Sequence, residues 1–213
     1  MTSPASLSIP RSLFVFSVLY GGMTCIAGVL GNKQVSVGPL SVESGIFAFL
    51  LLVVMSSAMA ELHGRHVANR LVRFGFIPLI FAICLFELVL ALPASPSMEP
   101  ARLEGFQLVL SQSPRLMVAG IIAYGVSQTL NVTIFEALRR GSGGMLWLRG
   151  AIAGVLSQAV DTLIFISLAF YGVFPIGELM LGQMIAKVTL SAVLVPPLIY
   201  LFVWIGRKLD AKG

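Results

Sequence analysis

Long apolar runs alternate with short polar connections along this chain, and the length of those runs points to the fold. A hydrocarbon core about 30 Å thick takes about 20 apolar helical residues to cross. Six stretches meet that requirement: Ser12 to Gly31, Glu43 to Glu61, Val72 to Leu92, Leu116 to Leu138, Trp147 to Tyr171 and Ile176 to Gly206. The first has no charged residue, and the second has none between its two ends. The third contains Glu87, the fourth Glu136, the fifth Asp161 and the sixth Lys187. The longest connection, Pro93 to Pro114, carries four prolines and mixed charge, which marks an extramembrane loop. The pattern predicts an all-α integral membrane protein, one domain over residues 1–213 with six transmembrane helices. No small-residue cleavage site follows the first run, so that run is expected to stay in the membrane.

Composition leads the same way. Of the 213 residues, 57% are hydrophobic and 11% charged, against about 25% charged in an ordinary soluble domain. So few charges cannot coat a water-facing surface, which excludes a soluble globular domain and makes the lipid bilayer the main surroundings. The net charge of +5 does not imply nucleic acid, because the basic residues lie in short clusters between apolar runs. That arrangement is a topology signal. With the N-terminus inside, the cytoplasmic side receives Arg11, Arg65, Arg70, Arg73, Arg139, Arg140, Arg149, Arg207, Lys208 and Lys212. The outside receives Lys33, Arg102 and Arg115. Both termini are therefore expected in the cytoplasm. Cys25 and Cys84 both fall inside apolar runs, read as small apolar side chains, and imply no disulfide framework. No cofactor and no metal site is expected.

The candidate chemistry lies where the membrane makes charge expensive, about 2.5–3.5 kcal/mol at a helix centre on insertion scales. Asp161 is ten residues from Tyr171, and Lys187 eleven from Ile176. At 1.5 Å per residue both lie roughly 15 Å below the outer surface. Matching depths on consecutive antiparallel helices suit an ion pair or a shared ligand. Gln158 lies one turn from Asp161, Thr162 adjoins it, and Gln183 lies four residues before Lys187. Gln128 and Asn131 share a face of the fourth segment, and Ser56 and Ser57 sit in the second. Amides in lipid need partners, so these helices are expected to face a common cavity. Glu87 lies nearer the outer interface, where it can snorkel or join the site. Glu61, His63 and His66 read as a solvated boundary, and the Gly150-to-Gly154 spacing as close helix packing.

Five stretches carry a family resemblance: AGVLGNKQV around Asn32 and Lys33, SSAMAELHGRHVANR, GVSQTLNVTIFEALRR, WLRGAIAGVLSQAVDTLIF and GQMIAKVTLSAVLVPPLIY. Through them the chain resembles the queuosine precursor transporter family, also described as vitamin-uptake-like transporters. The Ser-Gln, Asp-Thr, Ile-Phe string with a lysine one helix later is the most specific part. The resemblance implies a fold like the substrate-binding subunits of energy-coupling-factor vitamin transporters. It also implies import of a 7-deazaguanine precursor of queuosine, or a similar purine-like base, across a bacterial inner membrane. This chain has Ser57 and Asn131 where the family pattern has, or often has, an aspartate.

The residues suit such a ligand. A carboxylate accepts two N–H donors at once and an amide complements a carbonyl, while Phe165, one turn from Asp161, offers a stacking face. The candidate substrate-binding set is Asp161, Gln158, Gln128, Asn131, Lys187, Gln183, Thr162, Glu87, Asn32 and Phe165. An alternative is a capture subunit of a multi-component transporter, since no P-loop occurs here and ATP would have to be used by an energising partner. A homo-oligomer is also open. A rhomboid-like enzyme built on Ser157 lacks a base near its nucleophile, and no filter sequence recommends a channel.

Overall fold

The computed structural model describes residues 9–38, 40–111, 114–139, 145–173 and 175–211. In chain order the elements are α1 (Arg11–Gly31), β1 (Gln34–Val37), β2 (Leu40–Glu43), α2 (Gly45–His63), α3 (Arg65–Ala91), α4 (Pro100–Leu110), α5 (Pro114–Arg139), α6 (Leu146–Phe170) and α7 (Gly177–Asp210). Among the described residues six helices, all but α4, are long and apolar enough to cross a membrane. They are the six predicted from the apolar runs. Successive spans reverse direction, so one end of the bundle carries the start of α1 and the finish of α7. The other end carries the two-stranded hairpin and α4.

Three local details depart from expectation. Glu43 does not open the second helix; it ends β2, paired in register with Gln34 of β1. α3 begins at Arg65 rather than Val72, because Gly64 (φ +83°, ψ 166°) turns the chain directly from α2 into α3. That backbone conformation suits glycine and strains other residues. The long connection contains α4, none of whose residues is buried. Arg140 and Lys212, two of the basic residues assigned to the cytoplasm, lie outside the described residues.

α2 occupies the centre. Every residue from Leu52 to Ala60 is buried, as fits a helix that is apolar all round and enclosed by α1, α3, α5 and α7. α3 is peripheral and turns Phe74, Ile77, Phe81, Leu85 and Leu88 outward, toward hydrocarbon in a membrane. Apolar burial does not drive helix association in lipid; close packing and polar contacts do. Close packing holds α6 to α7. A Cβ added at Gly154 would lie 2.7 Å from Ser191 Oγ, and one at Gly150 would lie 3.3 Å from Ile199 Cδ1.

Polar contacts hold the end that carries the termini. The backbone N–H of Ser12, one of the donors a helix start leaves without a partner, is taken by Asp210 Oδ1 at 2.9 Å. Ser12 Oγ donates to Asp210 Oδ2 at 2.7 Å and lies 2.6 Å from His63 Nε2, which ties α1, α2 and α7 together. Buried Arg149 bonds Glu61 at 3.0 Å and stacks on Phe135, 4.2 Å from the ring centroid. Glu61 and His63 are therefore structural partners rather than a solvated boundary, while His66 is exposed.

The glycine stripe makes a direct test. Gly154→Leu is expected to lower stability by about 1–3 kcal/mol through overpacking, read from thermal or denaturant unfolding of the purified protein. Gly22→Leu, at a position where a Cβ meets nothing within 4 Å, is expected to leave it nearly unchanged.

Candidate functional site

The halves of the helices nearest the hairpin enclose a cavity of about 230 Å³. Its walls are largely apolar and rich in aromatic rings: Phe49 of α2, Phe86 of α3, Tyr124 of α5 and Phe165 of α6. Thr24 and Asn32 of α1 reach it, and so does Leu110 of α4. Three charged side chains line it: Asp161, Lys187 and Glu43.

Asp161 and Lys187 form the predicted pair. Lys187 Nζ donates to Asp161 Oδ2 at 3.2 Å, and Ser127 Oγ of α5 donates to Asp161 Oδ1, also at 3.2 Å. Both charged residues are buried, with 3% and 8% exposure. Each offsets the desolvation of the other, and breaking a buried pair typically destabilises by about 3–5 kcal/mol. The Lys187 ammonium also lies 6.0 Å from the Phe165 ring centroid. Tyr124 presents its ring rather than its hydroxyl, which donates to the Val72 carbonyl at 3.0 Å and lies 3.2 Å from Tyr20.

Asn32 has a positioning contact. Its amide nitrogen donates to the carbonyls of Gly28 and Val29, satisfying the C-terminus of α1, and to Val109 of α4 at 2.8 Å. It thus stitches α4 to the cavity rim. Arg115 does likewise for α6: its guanidinium donates to the Leu168 and Tyr171 carbonyls at 2.7 and 2.6 Å.

Six of the predicted residues do not line the cavity. Gln128 and Asn131 belong to a buried polar layer one or two turns nearer the termini. There Asn131 Nδ2 donates to Ser56 Oγ and Ser57 Oγ, each at 3.0 Å, and Ser56 Oγ donates to Gln128 Oε1 at 3.3 Å. The two positions where the resemblance implies acids are thus in contact with each other. Gln158 and Gln183 are buried, and Thr162 Oγ1 donates back to the Gln158 carbonyl at 2.9 Å. Among the described residues, the side-chain oxygens of Asn131, Gln158 and Gln183 are buried without a hydrogen-bond partner. Glu87 is exposed on α3 and stands apart from the cavity.

Glu43 is the residue that sequence reasoning missed. Adjacent strand residues point to opposite faces. Val42 enters the packing between α2 and α7, and Glu43 turns the other way into the cavity. Burial pushes its carboxyl above the ordinary range; nearby Lys187 opposes that rise, and Asp161 adds to it. The signal was present: two short alternating runs, Gln34–Val37 and Leu40–Glu43, flank Gly38-Pro39 as a hairpin does. Among the described residues, none around the cavity forms a catalytic arrangement. Ser157 Oγ is bonded to the Gly154 carbonyl, and His63 is held in the contacts at the opposite end. No group of three or more His, Cys, Asp or Glu is placed to hold a metal ion among the described residues.

Residues 43–202 match the family model described as "Putative vitamin uptake transporter". The chain belongs to this transporter family. It is also 30% identical, over 161 residues, to a protein of Bacillus subtilis (strain 168) named "Probable queuosine precursor transporter". That match covers 74% of this chain and 69% of the relative. No solved structure matches. The protein is a multi-pass membrane transporter of a vitamin-like substrate, and not an enzyme.

A double-mutant cycle tests the energetic weight of the central pair. Lys187→Met is expected to lower unfolding stability by about 3–5 kcal/mol, since Asp161 is left uncompensated. Adding Asp161→Asn is expected to restore part of that loss, with a coupling of about 0.5–3 kcal/mol. Strictly additive effects would mean that the two charges do not stabilise one another.

Proposed function

We propose that this transporter takes up a 7-deazaguanine-type base, a precursor of queuosine or a close purine-like relative, across a bacterial inner membrane. The observation that carries the reading is the Asp161–Lys187 pair at the wall of a small cavity lined by aromatic rings. A guanine-like edge presents a carbonyl acceptor beside two N–H donors. An ionised carboxylate offers about four acceptor positions. Ser127 and Lys187 use two at Asp161, which leaves capacity for two N–H groups of a base. The Lys187 ammonium has three donors, one engaged with Asp161, and can serve the carbonyl. Phe165, Tyr124, Phe49 and Phe86 offer faces and edges for a flat ring system. A volume of about 230 Å³ lies below the roughly 300–1,000 Å³ of sites for drug-sized ligands. It favours a free base over a nucleoside. The name of the Bacillus subtilis relative agrees with this substrate class.

We place both termini in the cytoplasm, so that the cavity opens toward the outside. The count of basic residues supports that orientation. Gln128, Asn131 and Gln158 then lie on the inward side of the cavity, where their amides can hand a polar base onward.

Two measurements follow. Purified protein is expected to bind 7-deazaguanine in a calorimetric titration, and Asp161→Asn to weaken binding by about ten- to hundredfold. That range is the loss of one or more hydrogen bonds to a charged acceptor. Undiminished affinity in a folded variant would remove Asp161 from the site. For orientation, a cysteine at Ser97, in the connection between α3 and α4, is expected to react in intact cells with a membrane-impermeant maleimide, in a background lacking Cys25 and Cys84. Reaction only after permeabilisation would reverse the topology.

A further inference from the structure

Two acids and one base face the cavity, and the base is already taken. Lys187 donates to Asp161 Oδ2, and Ser127 donates to Asp161 Oδ1. Glu43 is the third charged group on the wall, and among the described residues no hydrogen bond or ion pair holds its carboxyl. The elements around it bring no second cation to the cavity. β1 pairs Gln34 with it, and Lys33 beside the hairpin is exposed. α1 brings Thr24, Asn32 and Cys25, whose thiol donates to the Pro78 carbonyl at 3.4 Å. α5 brings Tyr124, with its hydroxyl turned away to the Val72 carbonyl. α2, α3 and α4 line the cavity with apolar groups alone. The hairpin holds Glu43 in this place. The Ser44 N–H donates to the Lys33 carbonyl at 2.8 Å, and Val42 is buried between α2 and α7, which keeps the alternate face toward the cavity.

While the cavity holds water, an ionised Glu43 is solvated. A ligand that displaces that water would leave one unpaired negative charge against aromatic walls, which is costly. The smallest counter-charge at hand is a proton. We propose that Glu43 is the proton site of this transporter: it takes up a proton as the cavity closes over a ligand and returns it when water re-enters, so that ligand and proton travel together. The proton passes from water on one side to a carboxylate oxygen, and from the neutral acid back to water on the other side. No other bond changes. The inference rests on the cavity as the ligand site of the proposed function and not on the identity of the base. Burial already raises the proton affinity of this carboxyl; Lys187, engaged by Asp161, opposes the rise, and Asp161 adds to it. Asp161 does not compete for the role, because each of its oxygens already accepts a hydrogen bond.

Two measurements on the full chain decide it. The first uses lipid vesicles containing the protein, with potassium and valinomycin holding the membrane potential at zero. A more acidic exterior is expected to drive accumulation of 7-deazaguanine inside, up to about tenfold per unit of pH difference for one proton per ligand. Glu43→Gln, a fixed neutral mimic of the protonated acid, is expected to lose that drive. Should it fail to fold, Glu43→Thr, which suits a strand, takes its place. Accumulation that ignores the gradient in the wild type, or still follows it in the folded variant, would overturn the proposal. The second measurement needs no ligand. Infrared titration of the wild type in lipid is expected to show the carbonyl stretch of a protonated carboxyl persisting above a pH of about 4, where exposed carboxyls ionise. The folded Glu43 variant is expected to lack it, and a band that survives the substitution would also overturn the proposal. No entry of 7-deazaguanine at any gradient, with the Glu43 band present, would overturn the base reading and leave the proton site standing.

Discussion

The rest of the site depends on one electrostatic constraint: two opposite charges must meet inside a medium that solvates neither. Asp161 on α6 and Lys187 on α7 could each be tolerated in a bilayer only by snorkelling, by admitting water or by finding a partner. They find each other, and Ser127 of α5 completes the carboxylate's coordination. Three helices are thereby locked at one depth. The glycine stripe on α6 allows the approach, because Gly154 lets Ser191 and Val195 of α7 pack where a side chain would intrude. Backbone contact and ion pair reinforce one another: the first brings the helices close, and the second sets how far one can slide along the other.

Polarity along the bundle falls into three tiers with different degrees of satisfaction. The cavity near the hairpin holds charge with room beside it. Below it the amides and hydroxyls of Ser56, Ser57, Gln128 and Asn131 bond across α2 and α5, yet leave buried polar atoms unmatched. At the end with the termini, Asp210, Ser12 and His63 and the Arg149–Glu61 pair make short, charge-assisted contacts across α1, α2, α6 and α7. A carrier has to open one end while the other stays shut. The contacts here are distributed to match: strong at one end, loose in the middle, and cupped around a ligand-sized space at the other.

The spanning helices were legible because lipid imposes a length and an apolar composition that no tertiary context overrides. The depth argument that paired Asp161 with Lys187 worked for a related reason, since a 1.5 Å rise per residue turns sequence position into position along the membrane normal. What that argument cannot resolve is azimuth. Gln128, Asn131, Gln158 and Gln183 were expected to share a cavity with Asp161, whereas they are buried in the layer beneath or between helices. Depth and polarity do not say which way a helix is rotated. Glu43 escaped for a different reason. The apolar run starting there looks like helix, and the four-residue strands beside it are too short for alternation to outweigh hydropathy. Glu61 and His63 were misjudged because a polar residue at a helix end is ordinarily solvated, and only the return of α7 to that end supplies their partners.

The Ser57–Asn131 contact connects these tiers. The family resemblance implies an aspartate at the first of these positions and often one at the second, and here a serine hydroxyl accepts a hydrogen bond from an amide at 3.0 Å. Two facing carboxylates at that separation could not both ionise, and one would have to hold a proton. A neutral pair removes that demand, so the middle layer carries no formal charge and has no proton to exchange. The acids above that layer are then the two that line the cavity, Asp161 and Glu43. Under the proposed uptake of a base, a ligand passing from the cavity toward the termini would exchange carboxylates for amides, whose dipoles hold it less strongly. On that proposal, capture and release are divided between the acids of the cavity and the neutral layer beneath it.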